Sequence, residues 1–300
     1  MKQKKPPIEW PTFLVLGLCY GVWALATWAA GGPAGWIWWP VVVLVITLHS
    51  SLQHEALHGH PTRNETVNSL LVFPAVGLLM PYLRFRTLHR AHHATEDLTD
   101  PARDNESFFL TPDDWARTSP PVRLLLRLNN TLAGRLTLGP AIVLTRFYRA
   151  ELRAAMRGDR EVLIAWALHL PGVVLALAWA VGVCGLHPVA YAAAAYAGYG
   201  VLMLRTFAEH RLHETQAGRS VIIEDRGLFS LIFLNNNLHA VHHGHPGAPW
   251  YALPRLFAES RERTLAENGG YRFAGYGALF RRYALRAKDP VVHPGHEAAA

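Results

Sequence analysis

Two long stretches of the chain carry no charged residue and are apolar almost throughout. Lys, Arg, Asp and Glu are absent from Trp10 to His54 and again from Val162 to Leu204. A helix needs about 20 apolar residues to cross a bilayer, so each stretch accommodates two membrane spans and a short turn. The predicted spans, two to a hairpin, are 11–30, 36–53, 162–182 and 189–206.

A third apolar segment, 67–83, is shorter and contains Pro74 and Pro81. If it crossed the membrane, the histidines at 54–58 and at 89–93 would lie on opposite sides. We therefore predict a re-entrant or interfacial segment, which returns to the side from which it came. The short length and the prolines support this interpretation, and so does the histidine argument below.

Composition and charge also indicate a membrane protein. The chain is 51% hydrophobic and 17% charged, whereas about a quarter of an ordinary soluble domain is charged. All 29 lysines and arginines lie outside the two predicted turns, 31–35 and 183–188, and the positive-inside rule places that side in the cytoplasm. We predict an all-α integral membrane protein of a bacterial inner membrane, with both termini cytoplasmic. A soluble protein with two large buried hairpins is the alternative, which apolar runs of this length disfavour.

The chain is predicted to consist of one membrane domain and a tail. Residues 1–260 contain every predicted span and the histidine clusters, and residues 261–300 form a charged segment that we expect to be a solvated cytoplasmic tail. The first span is longer than a signal-peptide core of about 7–15 residues, so it is expected to remain as an anchor. Cys19 and Cys184 both lie in apolar runs, which excludes a disulfide framework and an iron–sulfur ligand set.

Histidines occur in four groups close to the cytoplasmic ends of the predicted spans. QHEALHGH carries a pair spaced i, i+4, HRAHH and HAVHH each carry three at i, i+3 and i+4, and FAEHR carries one. On a helix these spacings place the imidazoles of a group on one face. The nine histidines are His54, His58, His89, His92, His93, His210, His239, His242 and His243.

Under this topology the nine imidazoles converge in a cytoplasmic, histidine-rich helical cap. They exceed what one tetrahedral zinc needs, so two metals with four or five imidazoles each would use them. Imidazole suits iron, copper, zinc and nickel, and the ligand type does not choose among them. One HxxHH alone would also fit a solvated or core cluster, but the combination predicts a two-metal site. His49 and His169 lie inside spans and are expected to make helix-packing hydrogen bonds.

The HxxxH at 54–58 and the HxxHH at 89–93 and 239–243, placed around two hydrophobic hairpins, resemble the histidine boxes of the membrane fatty-acid desaturase superfamily over roughly residues 10–260. The resemblance implies two non-haem irons, O2 as co-substrate, attack on an unactivated C–H bond, and His210 as a further ligand. Side chains beside the ligands are candidates to hold the second imidazole nitrogen, a solvated carboxylate being the alternative for each acid. These candidates are Asn235, Asp97, Asp100, Glu55 and Glu209.

The predicted function is O2-dependent desaturation or hydroxylation of a lipid acyl chain. The short chain suggests a separate electron donor such as a ferredoxin or cytochrome b5, and no nucleic-acid partner is expected. HATEDLTDP and HPGAPWYALP are also similar to segments of carotenoid ketolases, so a carotenoid ketolase or hydroxylase is the alternative. A divalent-metal transporter is an alternative from another class. It would place its ligands near the bilayer midplane, whereas the histidines here are predicted at one edge of the membrane. A bis-histidine haem protein would need facing histidines within the spans.

Overall fold

The computed structural model describes residues 8–295, and their regular secondary structure is almost entirely α-helical. The two short strands, Ile222–Ile223 (β1) and Arg272–Phe273 (β2), pair in parallel with Ile222 beside Arg272. A π-helix, Ala178–Val183, continues α9. The helices are α1 Trp10–Ala30, α2 Trp39–Leu57, α3 Glu65–Leu71, α4 Tyr82–Ala94, α5 Pro112–Arg117, α6 Pro120–Asn129, α7 Leu132–Thr137, α8 Gly139–Met156, α9 Arg160–Leu177, α10 Pro188–Glu209, α11 Leu228–Ile232, α12 His239–Gly244, α13 Leu253–Glu267 and α14 Tyr276–Tyr283.

Three helical stretches are long and apolar enough to cross a membrane, Trp10–Ala30, Gly35–Leu57 and Arg160–Val183. They match the first three predicted spans. The helix at the fourth predicted span, α10, has 22 residues but is not among them. Alanine, tyrosine and glycine fill most of its first half, and they are less apolar than the leucine and valine of the other three. The fourth span therefore stays a prediction.

The outward faces of α1 and α9 expose large apolar side chains. A polar solvent would not favour such continuous apolar faces, whereas lipid would. The three candidate spans and these faces together indicate a membrane protein. The most exposed of these side chains include Leu14, Leu25 and Trp28 on α1 and Ile164, Leu170 and Val174 on α9.

The centre of the fold is α2, with α1 packed along one side and α10 along another. The hydroxyl of Thr47 on α2 donates to the carbonyl of Gly198 on α10 at 3.0 Å. A Cβ at Gly198 would lie 2.9 Å from Cγ2 of Ile46, so the two helices approach closely only because a glycine stands there. This close packing sets the positions of the histidines at the ends of both helices.

The predicted re-entrant segment leaves the helical conformation at 72–81 and packs against other elements, with Val72, Ala75 and Val76 buried. The Tyr191 hydroxyl donates to the carbonyl of Val76 at 2.8 Å, and a ring nitrogen of His169 donates to that of Leu78 at 2.8 Å. Non-helical backbone can lie at membrane depth when protein groups satisfy it in this way. His169 thus makes the packing hydrogen bond that was predicted, while the depth of the segment in a membrane stays a prediction.

The segment predicted as a solvated tail is folded over its described part, 261–295. Tyr276 and Leu279 of α14 are buried in an apolar core shared with α10 and β1. Beyond α14 the chain returns, and the Leu110 amide donates to the carbonyl of Val291 at 2.9 Å. The apolar residues within this charged segment explain why it packs instead of extending into solvent. The domain boundary at 260 stays a prediction.

Candidate metal centre

Nine histidines meet where α2, α4, α10 and α12 approach one another, and they form two adjacent groups. Within each group the candidate ligand atoms all lie within 4.8 Å of one another. The structure therefore brings together all nine histidines that the sequence singled out. Cluster A consists of His54, His58, His89, His93 and His242, and cluster B consists of His92, His210, His239 and His243.

The histidines of the two HxxHH boxes are distributed over the two clusters in opposite ways. On α4 the first and last histidines of the box belong to cluster A, and the middle one, His92, belongs to cluster B. On α12 the middle histidine, His242, belongs to cluster A, and the other two belong to cluster B. Each box therefore bridges the two clusters, and the rings of His93 and His243 stack at 4.3 Å between centroids.

Ring nitrogens within each cluster face one another at short range. In cluster A the Nε2 atoms of His54 and His89 are 3.0 Å apart. In cluster B the Nε2 atoms of His92 and His210 are 3.1 Å apart. His89 and His92 direct these nitrogens inward because their Nδ1 atoms already have partners on the outside of the cluster. Converging lone pairs of this kind favour a cation between them.

Three of the rings are held from behind by a hydrogen-bond acceptor 2.8 Å from Nδ1. The acceptor accepts a hydrogen bond from the Nδ1–H group, which fixes the tautomer and leaves the Nε2 lone pair free to bind a metal. A fourth ring, that of His210, has the hydroxyl of Ser220 3.4 Å from its Nδ1. The three pairs are His89–Glu106, His92–Asp104 and His239–Asn236.

One buried nitrogen in each cluster has no hydrogen-bond partner among residues 8–295. These are Nε2 of His58 in cluster A and Nε2 of His243 in cluster B. A buried polar atom without a partner costs about 1–3 kcal/mol, and a bound metal would remove that cost. The donor sets of both clusters therefore fit a metal ion.

Burial keeps most of the rings in the neutral form that binds metal. It lowers the pKa of His239, His242 and His243 well below the ordinary value. Burial, together with nearby His89, also lowers the pKa of His93 to about 3. At pH 7 these imidazoles are neutral, so binding a metal requires no loss of a proton from them.

His92 differs from these rings because two carboxylates beside it favour its positive charge. Burial acts to lower its pKa, but the carboxylates of Glu106 and Asp104 outweigh it and raise the pKa of His92 to about 9. The same interaction with His89 and His92 lowers the pKa of Glu106 against the effect of burial. The site thus holds anionic groups that a metal cation would neutralise.

The residues predicted to orient the ligands mostly have other partners. Asp97 pairs with Arg103 at 2.6 Å, and the Asn235 amide donates to the Trp250 carbonyl at 3.1 Å. Of the predicted set, Glu209 does lie close to a ring, with Oε1 3.5 Å from Nδ1 of His239. The remaining two accept backbone N–H groups: Asp100 from Ala102 and Arg103, and Glu55 from Trp250.

Asp104, Glu106 and Asn236 were missed, for two different reasons. The two acids lie in a loop more than ten residues after the second box, where sequence distance does not indicate which side chain returns to the helix. For the His239 ring the sequence indicated Asn235, whereas the structure places the adjacent Asn236 beside that ring. Leu234 and Asn235 have positive φ angles of 50° and 56°, so the helical i, i+4 spacing that favoured Asn235 does not apply there. The DNE sequence at 104–106 was the available signal for the acids.

Two further histidines near the centre have structural partners instead. His60 is fully buried, and its Nδ1 is 2.8 Å from both carboxylate oxygens of Glu9. His49 lies with its Nε2 3.1 Å from the Tyr20 hydroxyl, which agrees with the predicted packing role. Neither belongs to cluster A or cluster B.

A cavity of about 670 Å³ leads to both clusters. His89 of cluster A and His210 of cluster B line it. Its walls come from α2, α4, α8 and α10, and they include apolar side chains such as Phe85, Phe147 and Leu202. An apolar chain would fit this space with one of its carbons close to the histidines.

A second, smaller cavity of about 300 Å³ reaches His93 and His243. Polar side chains such as Gln216, Ser220 and Asn268 line it. The histidines are thus accessible both from a largely apolar cavity and from a separate polar one.

Comparison with known families gives one match that covers most of the chain. The model of the family described as fatty acid desaturase matches residues 26–276. A comparison with curated proteins found no match. The matched region contains all nine histidines and confirms the resemblance drawn from the histidine boxes. The chain therefore belongs to the fatty acid desaturase family.

Proposed function

We propose that this protein is a membrane-bound, O2-dependent di-iron oxidoreductase that acts on C–H bonds of a lipid acyl chain, by desaturation or by hydroxylation. The observation that carries the proposal is the pair of buried imidazole clusters beside a largely apolar cavity. Membership of the fatty acid desaturase family supports an oxidoreductase with a lipid substrate. It also favours iron among the metals that imidazole binds.

The residues of the centre would hold two irons in unequal surroundings. Cluster A offers five imidazoles to one iron and cluster B offers four to the other. When bound and reduced, the irons would supply the activation of O2 that attack on an unactivated C–H bond requires. Asp104 and Glu106 would hold the rings of His92 and His89 in the metal-binding tautomer.

The cavity would position the substrate and keep bulk water from it. Apolar side chains such as Phe85 and Phe147 would contact the acyl chain, and His89 and His210 mark where its reacting carbon would lie. The electrons would come from a separate protein donor, a ferredoxin or a cytochrome b5. The polar cavity at His93 and His243 would admit water and protons without passing through the lipid-binding space.

The metal-transporter alternative has less support. Nine histidines in two adjacent clusters would hold each metal by four or five protein ligands, whereas transport requires that a metal can leave. A carotenoid ketolase or hydroxylase would use the same clusters and the same cavity, so it stays the alternative for the substrate.

Metal analysis tests the centre itself. We expect detergent-purified protein to hold about two irons per chain. A His89→Ala/His242→Ala variant should lose the iron of cluster A, and a His210→Ala/His239→Ala variant should lose that of cluster B. His187→Asn is the matched control, because His187 only caps α10 by accepting the Val189 N–H and asparagine also caps helices. One tightly held zinc, or metal retained in both double variants, would contradict the proposal.

Product analysis tests the reaction. Lipids from cells that express the parent protein with a ferredoxin system should gain a double bond or a hydroxyl group that cells with either double variant lack. Mass spectrometry separates the loss of two hydrogens from the gain of one oxygen. Modified carotenoids with unchanged acyl lipids would move the assignment to the alternative substrate.

A further inference from the structure

The cavity beside the clusters is apolar over much of its surface, but α2 and α10 line it with four uncharged polar side chains. Among residues 8–295, none of these four side chains forms a hydrogen bond, and the hydroxyl of Thr206 is fully buried. An acyl chain alone would leave all of them without partners. The four side chains, which we call the polar set, are Ser50, Gln53, Tyr199 and Thr206.

The polar set lies close to the metal centre. Ser50 is one helical turn before His54 on α2, and Thr206 is one turn before His210 on α10. An α-helix rises about 1.5 Å per residue, so each lies about 6 Å along its helix axis from a cluster histidine. Gln53 directly precedes His54. These groups would therefore face the part of a ligand that is near its reacting carbon.

Hydrogen-bonding groups in an apolar cavity are costly unless a ligand satisfies them. Each buried donor or acceptor without a partner costs about 1–3 kcal/mol. A site that hydrogen-bonds its ligand also discriminates strongly against an analogue that lacks the matching group. A serine, a glutamine, a tyrosine and a threonine can both donate and accept, so they suit a hydroxyl or a carbonyl oxygen.

The charged pair nearest the polar set argues against an ionised ligand at this level. Arg205, which directly precedes Thr206, is paired with the carboxylate of Glu209, so its charge is compensated. Two further cationic groups of the cavity are also paired, whereas the lining arginines Arg135, Arg146 and Arg157, which lie outside α2 and α10, form no ion pair among residues 8–295. In the pair one turn from His210, Nε of Arg205 lies 2.7 Å from Oε1 of Glu209. The three ion pairs are Arg84–Glu151, Arg205–Glu209 and Lys288–Asp289.

We propose that the cavity selects a lipid with an uncharged oxygen function, a hydroxyl or a carbonyl group, within a few carbons of the C–H bond that is oxidised. The polar set binds that oxygen, and the apolar walls hold the hydrocarbon on either side. This inference rests on the proposed function for the position of the reacting carbon. It narrows the substrate from any acyl chain to an oxygenated one.

The test compares the binding of matched probes to detergent-purified, metal-loaded protein. The probes are nonadecane, nonadecan-10-one, nonadecan-10-ol and octadecanoate, and the dissociation constants come from thermal-unfolding midpoints measured at increasing probe concentration. We expect the ketone and the alcohol to bind at least about fivefold more tightly than nonadecane, as one additional hydrogen bond predicts. Octadecanoate should show no such advantage.

Two variants locate the preference in the polar set. Gln53→Leu and Thr206→Val should each reduce the affinity for the ketone by about fivefold and leave that for nonadecane unchanged. Met203→Leu changes only the apolar wall of the same cavity and should keep the preference. Metal content, measured in parallel, shows that each variant is folded.

Three results would overturn the inference. They are equal binding of nonadecane and the ketone by the parent, a preference that both polar variants keep, and tightest binding of octadecanoate. A preference shown by protein that holds no iron would leave the cavity assignment standing while the di-iron proposal fails, so the two failures are distinguishable.

Discussion

The two histidine clusters differ in how the chain builds them. Cluster A takes four of its five imidazoles from the ends of α2 and α4, at helical spacings. Cluster B takes only His92 from α4. It takes His210 from the C-cap of α10, where the backbone is extended with φ −126° and ψ 150°, and the other two from the six-residue helix α12. Cluster A is thus supported mainly by longer helices, and cluster B by caps and a short helix.

This difference makes cluster B the more dependent on distant segments of the chain. The ammonium group of Lys288 donates to the carbonyl of His210 at 2.7 Å, across 78 positions. The backbone of His210 also forms an antiparallel β-bridge with that of Ser220. The Ala240 amide of α12 donates to the Val221 carbonyl at 3.0 Å. Disturbing these contacts should affect cluster B and spare cluster A.

The largest expected effect comes from adjacent histidines of one box. His92→Ala should remove the metal of cluster B, and His93→Ala should remove that of cluster A, because the two rings belong to different clusters. Both variants should lower lipid oxidation to background. Iron per chain and the spectroscopic signal of the remaining iron check the result. If both substitutions depleted the same metal, the division between the clusters would be wrong.

The second-largest effect is expected from replacing either of the two carboxylates that accept hydrogen bonds from the His92 and His89 rings. Asp104→Asn should weaken the metal of cluster B, and Glu106→Gln that of cluster A, each by about 10–100-fold in affinity. The amide keeps the shape of each side chain but removes the negative charge beside the ring. Competition with a chelator measures both affinities. Equal weakening of both metals by either variant would argue that the acids act on the whole centre.

A smaller effect is expected at the contact that supports His210. Lys288→Met removes the charged donor to the His210 carbonyl and should cost roughly 1.5–3 kcal/mol of stability. Iron should be lost preferentially from cluster B. Thermal unfolding and iron analysis on the same preparation test this. If the iron content of cluster B were unchanged, the contact of Lys288 with the His210 carbonyl would not be needed to hold the metal.

The smallest effect belongs to the acid that the sequence placed beside the ligands. Asp97 and its partner Arg103 are 42% and 68% exposed, and exposed ion pairs contribute little to stability because solvent screens them. Asp97→Asn should therefore change stability only slightly and leave both metals bound. It serves as the control for Asp104→Asn. A loss of metal in Asp97→Asn would revive the predicted role of Asp97.

Local pattern was sufficient for several parts of this protein. Uninterrupted apolar runs predicted the three helices that are able to cross a membrane, because a bilayer requires such runs whatever the rest of the chain does. The spacings of the three boxes predicted eight of the nine histidines that converge, because i, i+3 and i+4 positions share one face of a helix. The ninth, His210, was assigned as a ligand with the help of the family resemblance. The family also follows from these boxes, and its match over residues 26–276 confirms it.

Only the tertiary structure decided how the nine histidines are divided between cluster A and cluster B. The two HxxHH boxes are identical in spacing, yet the outer histidines of one and the middle histidine of the other form the same cluster. Spacing states which rings lie on one face of their own helix, whereas membership of a cluster depends on how α4 and α12 face each other. The orienting groups Asp104, Glu106 and Asn236 come from loops and turns. No periodicity describes such segments, so their partners are set by packing alone.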